Sequence, residues 1–321
     1  MIVVTGALGF IGSALLGELQ NRGYGELVAV DNFNDTHKFQ NLAGKKIVHR
    51  IDRSHFIQWL DENGSHVQFV FHIGARTKTN EFNWDTLNEL NVNYSKFIWN
   101  LCVKHSIPLV YASSAATYGN GDQGFSDNPL SLQNLKPMNP YGESKHLFDL
   151  WMMEQTQTPP FWAGFKFFNV FGPNEYHKDR MASVVFHAFN QIQSSGQVAL
   201  FKSYRTDYKD GEQKRDFIYV KDVLNVLIHE MESRKVCGLY NLGTGKAHTF
   251  LELANAVFNA LGIPPNISYI DMPEDIRNNY QYFTEADESR LIESGYNLGF
   301  SEFDEAVKDY VQEYLMKNAY L

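Results

Sequence analysis

Three glycines at fixed spacing separate a β-branched run from a segment of helical periodicity near the start of the chain. Gly6, Gly9 and Gly12 follow residues 2–4, and apolar side chains then recur at helical spacing over residues 11–19. The opening is therefore predicted to be a strand, a turn and a helix. Glycines in such a turn let backbone amides approach a pyrophosphate at the helix N-terminus, although they can also serve only to pack strand and helix closely.

An acidic residue stands at the end of the next predicted strand. Asp31 comes 19 residues after Gly12 and directly follows the apolar run at residues 27–30. A carboxylate at this position can accept a hydrogen bond from an adenosine ribose, so the two features together predict dinucleotide binding. Asp31 favours NAD, whereas the nearby cations Lys38 and Arg53 favour the 2′-phosphate of NADP, and the residues alone leave both open.

Apolar runs and helical segments alternate through the first half of the chain. Residues 67–72 and 109–112 are predicted to be buried strands, and residues 91–105 have helical character. Right-handed crossovers between such strands give a Rossmann-type doubly wound parallel sheet.

We therefore predict an α/β protein with two domains. Residues 1–170 form the dinucleotide-binding domain, to which residues 215–248 return, and residues 171–214 and 249–321 form a smaller, mainly C-terminal substrate domain. Within the second half, residues 182–194 are predicted to be a helix and residues 203–214 a loop.

Charge and cysteine content exclude several functional classes. The chain has 28 Lys and Arg against 37 Asp and Glu, a net charge of −9 that opposes binding to nucleic acid or an anionic lipid surface. Cys102 and Cys237 lie in apolar surroundings without metal-ligand spacing, so they are interpreted as reduced core residues and no metal site is predicted. No apolar stretch approaches about 18 residues, and a cytoplasmic protein is expected.

A serine, a tyrosine and a lysine form the second functional pattern. Ser114 follows a predicted strand, and Tyr141 and Lys145 share one helix face because they are four residues apart. An ammonium one turn away stabilises a phenolate and lowers the pKa of a phenol from about 10 toward neutrality. The lysine can also bind a nicotinamide ribose while Ser114 holds a substrate oxygen. The pattern favours a hydride-transfer site over a tyrosine and a lysine that merely decorate an exposed helix.

Several motifs together resemble the extended short-chain dehydrogenase/reductase family, over nearly the whole chain. They are the glycine turn, Ser113–Gly119, Pro140–Lys145, Phe168–Pro173, Arg215–Asp222 and Tyr240–Gly245. Members of that family include nucleotide-sugar epimerases, dehydratases and reductases. Dehydratases usually carry Thr-Asp-Glu where this chain has Ser114, Ala115 and Ala116, which favours epimerisation or reduction.

Further residues, some of them within these motifs, resemble the ADP-heptose 6-epimerases of bacterial lipopolysaccharide synthesis. The resemblance lies in residues 111–119, in His177 and Lys178 with residues 181–184, and in residues 280–287. It implies that tightly held NADP takes a hydride from C6″ of an ADP-linked heptose and returns it to the opposite face of the ketone. It also implies a homo-oligomer, a pentamer in that branch.

The same resemblance implies functional roles for individual residues. The catalytic groups are Tyr141, Lys178, Ser114 and Lys145. The cofactor contacts are Gly6, Gly9, Phe10, Ile11, Gly12, Asp31, Asn32, Lys38, Arg53, Ile73, Gly74, Ala75, Arg76, Thr77, Asn91, Lys145 and Val170. The substrate contacts are Ser114, Asn169, Arg180, His187, Phe201, Arg215 and Tyr280.

Two of these assignments can also be weighed from the residues alone. Lys178 would act as a base at neutral pH only if burial or a neighbouring cation lowered its pKa by roughly 2–3 units, and without the resemblance it belongs to a charged loop. Arg215 suits bidentate binding of a diphosphate, and the alternative is a surface ion pair with Asp216.

The chain departs from the family pattern at three places. Ile73 stands where the family commonly has Glu, and Arg76 adds a cation nearby. Arg180 replaces a small residue, and the loop at residues 203–214 is longer than usual. Two alternatives therefore remain open: 4-epimerisation of a UDP-hexose or reduction of a keto-sugar, and a non-catalytic protein that only senses the dinucleotide.

Overall fold

A computed structural model describes residues 1–77, 81–277 and 280–321. Its strands are β1 (Ile2–Thr5), β2 (Leu27–Asp31), β3 (His49–Asp52), β4 (Phe69–His72), β5 (Leu109–Ser114), β6 (Trp162–Phe167), β7 (Asn169–Phe171), β8 (Val198–Phe201), β9 (Lys214–Tyr219), β10 (Gly238–Leu242), β11 (Ala247–Thr249) and β12 (Ile267–Ile270).

Helices alternate with these strands. The α-helices are α1 (Phe10–Asn21), α2 (Arg53–Asn63), α3 (Trp84–Leu87), α4 (Tyr94–Lys104), α5 (Pro140–Met153), α6 (Val184–Ser195), α7 (Val220–Ser233), α8 (Phe250–Leu261), α9 (Glu274–Arg277), α10 (Ser289–Glu293) and α11 (Phe303–Asp309). Short 3-10 turns cover Thr36–Leu42, Gly64–His66, Ala115–Tyr118, Pro129–Asn134 and Tyr176–Met181, and π-turns cover Asn88–Asn93 and Tyr310–Leu315.

The centre of the molecule is a parallel sheet of seven strands in the order β10-β6-β5-β4-β1-β2-β3. Every pairing in it is parallel, and β1 lies between β2 and β4. The strand order reverses beside β1, and the carboxyl ends of β1, β4 and β5 open on one edge, where such sheets bind ligands. The predicted α/β class with a Rossmann-type sheet is confirmed.

Two smaller sheets lie outside the large one. One has the order β11-β9-β7 and the other pairs β12 with β8. Of the segment at residues 215–248, β10 joins the large sheet next to β6, whereas β9 pairs with β7 and β11. The division into two domains at residue 170 stays a prediction.

Alternating side chains of the large sheet supply two separate cores. Val3 and Val28 point to one face and pack with α2, α4 and α5, whereas Val4 and Ala29 point to the other and pack with α1 and α7. Burial on both faces explains the uninterrupted apolar runs in the sequence. Cys102 is buried as predicted, but the prediction for Cys237 is wrong, because that residue lies in an exposed connection before β10.

Cap residues define the helices that carry functional groups. The side chain of Asn139 accepts a hydrogen bond from Gly142 N at the start of α5, and Pro140 occupies the first turn, where its missing N–H is not needed. Ser183 caps α6 in the same way. In the part of the chain that the structure describes, no helix is long and apolar enough to cross a membrane.

Candidate active site and relatives

Close backbone contacts fix the glycine turn between β1 and α1. Gly6 has φ +69°, and a Cβ at Gly6 would lie 2.6 Å from the Cα of Gly74. A Cβ at Gly12 would lie 2.2 Å from the carbonyl oxygen of Gly6, so only glycine fits there. Gly9 precedes α1, and no side chain among the described residues caps that helix. Its first N–H groups are therefore suited to a pyrophosphate.

Backbone amides orient the carboxylate at the end of β2. Asp31 Oδ2 accepts a hydrogen bond from Leu8 N at 2.8 Å, and its Oδ1 accepts one from Asn32 N at 2.7 Å. Because Asp31 and Asp52 are register partners across β2 and β3, Arg53 lies next to the end of β2. Lys38 lies on the turn that follows β2 and pairs with Asp35.

A buried asparagine holds the segment after β4 in place. Asn91 Oδ1 accepts from Arg76 N at 2.7 Å, and its amide nitrogen donates to Arg76 O at 3.0 Å and to Ser144 Oγ at 2.9 Å. The Asn91 side chain thus ties residues 73–77 to α5. The guanidinium of Arg76 pairs with Glu81 at 2.9 Å, so the cation that departs from the family pattern has an acidic partner in this chain.

The four predicted catalytic groups line one cavity of about 350 Å³. Seven predicted contacts line it as well: Phe10, Ile11, Ile73, Ala75, Thr77, Asn169 and Val170. The cavity lies at the carboxyl edge of the large sheet, where β5 ends at Ser114 and α5 begins at Pro140. Residues from distant parts of the sequence therefore converge where the sequence predicted a site.

Burial dominates the electrostatics of Tyr141 and Lys145. Burial raises the pKa of Tyr141, and a hydrogen bond with Ser114 opposes that rise. Burial lowers the pKa of Lys145 to about 8. The predicted lowering of the Tyr141 pKa by Lys145 is not found, because removal from water disfavours the charged form of both groups.

An ion pair that the sequence analysis did not single out lies beside these groups. Lys166 Nζ lies 2.8 Å from Asp149 Oδ2, and both side chains are buried. The Asp149 carboxylate also accepts from Ser113 Oγ at 2.6 Å and Tyr111 OH at 3.1 Å. Its negative charge favours the protonated forms of Tyr141 and Lys145 and so raises their pKa values.

Lys178 reaches the cavity from a short turn rather than a long helix. It lies in the turn Tyr176–Met181, and its Nζ is 5.4 Å from the centroid of the Phe10 ring. Burial lowers the pKa of Lys178, while the charge of Glu175 opposes this. The lowering has the direction that a base at neutral pH requires.

A cation and aromatic rings form a second group beside the cavity. Arg215 is 7% exposed, and its guanidinium carbon lies 5.3 Å from the Tyr280 ring and 5.6 Å from the Phe250 ring. Phe201 contacts Tyr280, and Phe250 also lines the cavity. The guanidinium thus lies close to the cavity, with two backbone carbonyls, those of Lys214 and Gln281, as acceptors.

The alternative of a surface ion pair for Arg215 does not describe this structure. Asp216 instead accepts from the backbone of Thr244, Gly245 and Ala286, and among the described residues no ion pair joins it to Arg215. Two other predicted substrate contacts lie away from the cavity lining. Arg180 is exposed, and His187 lies on α6 with its ring against Phe186.

A sequence model of the NAD dependent epimerase/dehydratase family matches residues 2–243 of the chain. The chain belongs to this family. The match confirms the resemblance read from the motifs, and the family's nicotinamide dinucleotide is the class of cofactor that the glycine turn and Asp31 predicted.

Relatives within the family match the chain from end to end. The ADP-L-glycero-D-manno-heptose-6-epimerase of Fusobacterium nucleatum is 45% identical over 327 residues, which cover 99% of this chain and 98% of the relative. The enzyme of the same name from Nitratidesulfovibrio vulgaris is 44% identical and covers 98% of both chains. The crystal structure of ADP-L-glycero-D-manno-heptose-6-epimerase from Helicobacter pylori has a TM-score of 0.81 at 26% identity, covering 97% of this chain and 95% of that one.

Some cavity residues of this family member were missed by the sequence analysis. They are Ala112, Ser113, Phe167, Phe168, Met181, Ala182, Ser183, Val184, Phe217 and Phe250. Phe217 could have been found, because it is two residues from Arg215 in the same strand and so shares its face. Within residues 1–77, 81–277 and 280–321, no cluster of acidic, histidine or cysteine side chains could hold a metal ion.

Proposed function

We propose that this protein converts ADP-D-glycero-D-manno-heptose to ADP-L-glycero-D-manno-heptose at C6″, by transient oxidation and re-reduction, in the synthesis of the lipopolysaccharide core. The observation that carries the proposal is the convergence of Ser114, Tyr141, Lys145 and Lys178 on one cavity. A tyrosine and a separate lysine give an inverting reaction two proton carriers. Relatives at 44–45% identity over 98–99% of this chain carry the corresponding name.

The residues of the chain have distinct tasks in this proposal. A nicotinamide dinucleotide held by the glycine turn supplies reversible hydride acceptance at C6″. Tyr141 exchanges the hydroxyl proton on one side of the carbon, with Ser114 holding the same oxygen, and Lys145 binds the nicotinamide ribose. Lys178 exchanges the proton on the opposite side. Because the product is an isomer of the substrate, the cofactor ends in its starting oxidation state.

The nucleotide end of the substrate is assigned to the group around Arg215. A guanidinium offers two parallel N–H donors to a diphosphate, and its burial strengthens each contact. The neighbouring rings of Phe201 and Tyr280 give flat apolar surfaces for the rest of the ligand. Asn169 and the aromatic ring of Phe250 connect this group to the cavity that holds the reacting sugar.

The cofactor is proposed to be NADP, tightly bound. Arg53 adjoins Asp31 at the end of β2, and Lys38 lies on the following turn, so two cations are available to a 2′-phosphate. Asp31 already accepts two backbone N–H groups, which reduces its charge repulsion toward a phosphate.

One preparation tests both proposals. The nucleotide that co-purifies is released by denaturation and identified by mass spectrometry, and the native protein is incubated with ADP-D-glycero-D-manno-heptose without added cofactor. We expect NADP in the extract and the L-glycero product. Recovery of NAD would overturn the cofactor assignment alone. Turnover of UDP-glucose to UDP-galactose but not of the heptose would replace the proposed substrate with a UDP-hexose.

We also infer a homo-oligomer that acts in the cytoplasm. The two cysteines, neither of them in a disulfide, fit a reducing compartment. Light scattering at micromolar concentration is expected to give a multiple of the 36.9 kDa chain, five by resemblance, and the chain mass alone would contradict this.

A further inference from the structure

We propose that Glu175 is the positioning residue of Lys178: its ionised carboxylate closes the turn that carries Lys178 and keeps a proton available on the Lys178 amine. The inference rests on the proposed function, in which Lys178 exchanges a proton with the substrate. Glu175 does not itself line the cavity and, in this assignment, does not touch the substrate. It acts through the position and the charge state of its neighbour.

The Glu175 side chain connects both ends of the segment that contains Lys178. Its Oε1 accepts from Gly172 N at 3.3 Å, before the turn, and from Ser183 Oγ at 2.6 Å, after it. Its Oε2 accepts from Ser183 N at 2.5 Å. Tyr310, in the distant C-terminal region, also donates its hydroxyl to Oε1 at 3.0 Å. One carboxyl group thus fixes residues 172–183 to each other and to the turn that follows α11.

The hydrogen bonds favour a negative charge on this group. Gly172 N and Ser183 N can only donate, and each is bound to a different oxygen of the Glu175 carboxyl. Glu175 is 1% exposed, and burial raises its pKa, whereas the hydrogen bonds from Ser183 and the charge of Lys178 oppose that rise. Its position at the N-terminus of α6 also favours the ionised form.

Glu175 is the acidic group that acts on the Lys178 amine. No ion pair within 4.0 Å joins the two side chains in the described part of the chain, and Lys178 lines the cavity. The negative charge of Glu175 opposes the lowering of the Lys178 pKa by burial. The other groups around Lys178 are His177 of the same turn, the uncharged Phe10 ring of α1, and Tyr141 and Lys145 of α5 across the cavity. None of these contributes a carboxylate.

The test compares two variants of Glu175. Glu175→Gln keeps the size of the side chain and removes its charge, whereas Glu175→Asp keeps the charge and shortens the reach. The protein is used with its co-purified nucleotide and without added sugar. It is acylated in competition with a reference amine over a range of pH, and peptide mass spectrometry measures the labelling of Lys178. The same preparations give kcat as a function of pH with the ADP-heptose.

For Glu175→Gln we expect the labelling midpoint of Lys178 to fall by about one to two pH units, because the stabilising anion is gone. The corresponding limb of the kcat profile should move with it, by the same one to two pH units. Glu175→Asp should leave the midpoint close to that of the parent protein. An unchanged midpoint in Glu175→Gln would overturn the inference, since a merely structural side chain would lower stability without moving the pH dependence.

A second variant applies if Glu175→Gln does not fold. Tyr310→Phe removes one donor from the carboxylate and keeps its charge, so we expect an unchanged Lys178 midpoint together with a lower unfolding temperature. A fall of one to two pH units in this charge-retaining variant would contradict the inference. Labelling needs no sugar. If the Lys178 midpoint shifts as expected but the parent protein does not convert ADP-heptose, the proposed function is overturned and the inference about Glu175 stands.

Discussion

The two proposed proton carriers, Tyr141 and Lys178, lie in very different secondary structures. Tyr141 occupies the first turn of a 14-residue helix with a side-chain cap, four residues from Lys145. Lys178 occupies a six-residue 3-10 turn that is interrupted at Asp179, where φ is +48°. The helix positions its tyrosine through local hydrogen bonds, whereas the turn depends on Glu175 and thus on residues as far away as Tyr310.

The difference shows how far away in the sequence the residues lie that hold each proton carrier in place. The cap at Asn139 and the spacing of Tyr141 and Lys145 are local to α5, which also bonds Asn91 through Ser144. A change anywhere along the contacts of Glu175 can displace Lys178. The helix α5, with Tyr141 and Lys145, should therefore tolerate substitutions around Glu175 that displace the turn Tyr176–Met181.

Removal of the phenol hydroxyl is the strongest test of the helical side. Tyr141→Phe is expected to lower kcat by about 10²–10⁴-fold, because a positioned acid–base group contributes that much. The amount of bound nucleotide should stay within a few-fold, since the ring remains. Steady-state assays and quantitation of released nucleotide measure the two effects. Turnover close to the parent rate would exclude Tyr141 from the chemistry.

Removal of the amine tests the turn. Lys178→Met should lower kcat by about 10²–10³-fold while nucleotide stays bound, because inversion then lacks the proton carrier on one face. Arg180→Ala is the matched control: it changes an exposed cation in the same turn, and its effect should be less than that of Lys178→Met. A small loss for Lys178→Met would favour a one-base enzyme that rotates its keto intermediate past Tyr141.

The charge of Lys145 should make the stability of the helical side depend on pH. Its pKa in the folded protein is about 8, below the ordinary lysine value of 10.5, so the unfolded chain binds more protons between these values and stability rises with pH across that window. Lys145→Met should therefore stabilise the protein more at pH 7 than at pH 11, by roughly 3 kcal/mol. Urea unfolding at both pH values measures this, with the exposed Lys136→Met as control. A gain that is equal at both pH values would contradict the assignment.

The smallest effect on catalysis is expected at Arg215, in the group of residues assigned to the nucleotide end of the substrate. Arg215→Lys keeps the charge but loses the second parallel donor, so KM for the ADP-heptose should rise on the order of tenfold with little change in kcat. Initial-rate kinetics separate the two constants. A fall in kcat without a change in KM would move Arg215 from diphosphate binding to support of the reacting centre.

Much of the helical side could be predicted because its information is local. The glycine turn, the spacing of Tyr141 and Lys145, and the parallel sheet all follow from patterns within about 15 residues.

The turn and its surroundings could not be predicted in the same way. The catalytic role of Lys178 is predicted only through a resemblance, since its neighbours in sequence are typical of a charged loop. Glu175 and Tyr310 are 135 residues apart, and no periodicity connects them. Asn91, which the sequence analysis assigns to the cofactor, also hydrogen-bonds Arg76 and Ser144, a contact that appears only once the chain is folded.

The position of β10 has a consequence for synthesis of the chain on the ribosome. By the time residue 178 has been made, all four side chains assigned to catalysis exist, but β6 still has one edge with unpaired backbone N–H and C=O groups, since its neighbour β10 comes only at residues 238–242. Such an edge invites pairing with other chains. A fragment that stops near residue 170 should therefore aggregate, and the growing chain must shield this edge for about seventy further residues before its sheet can close.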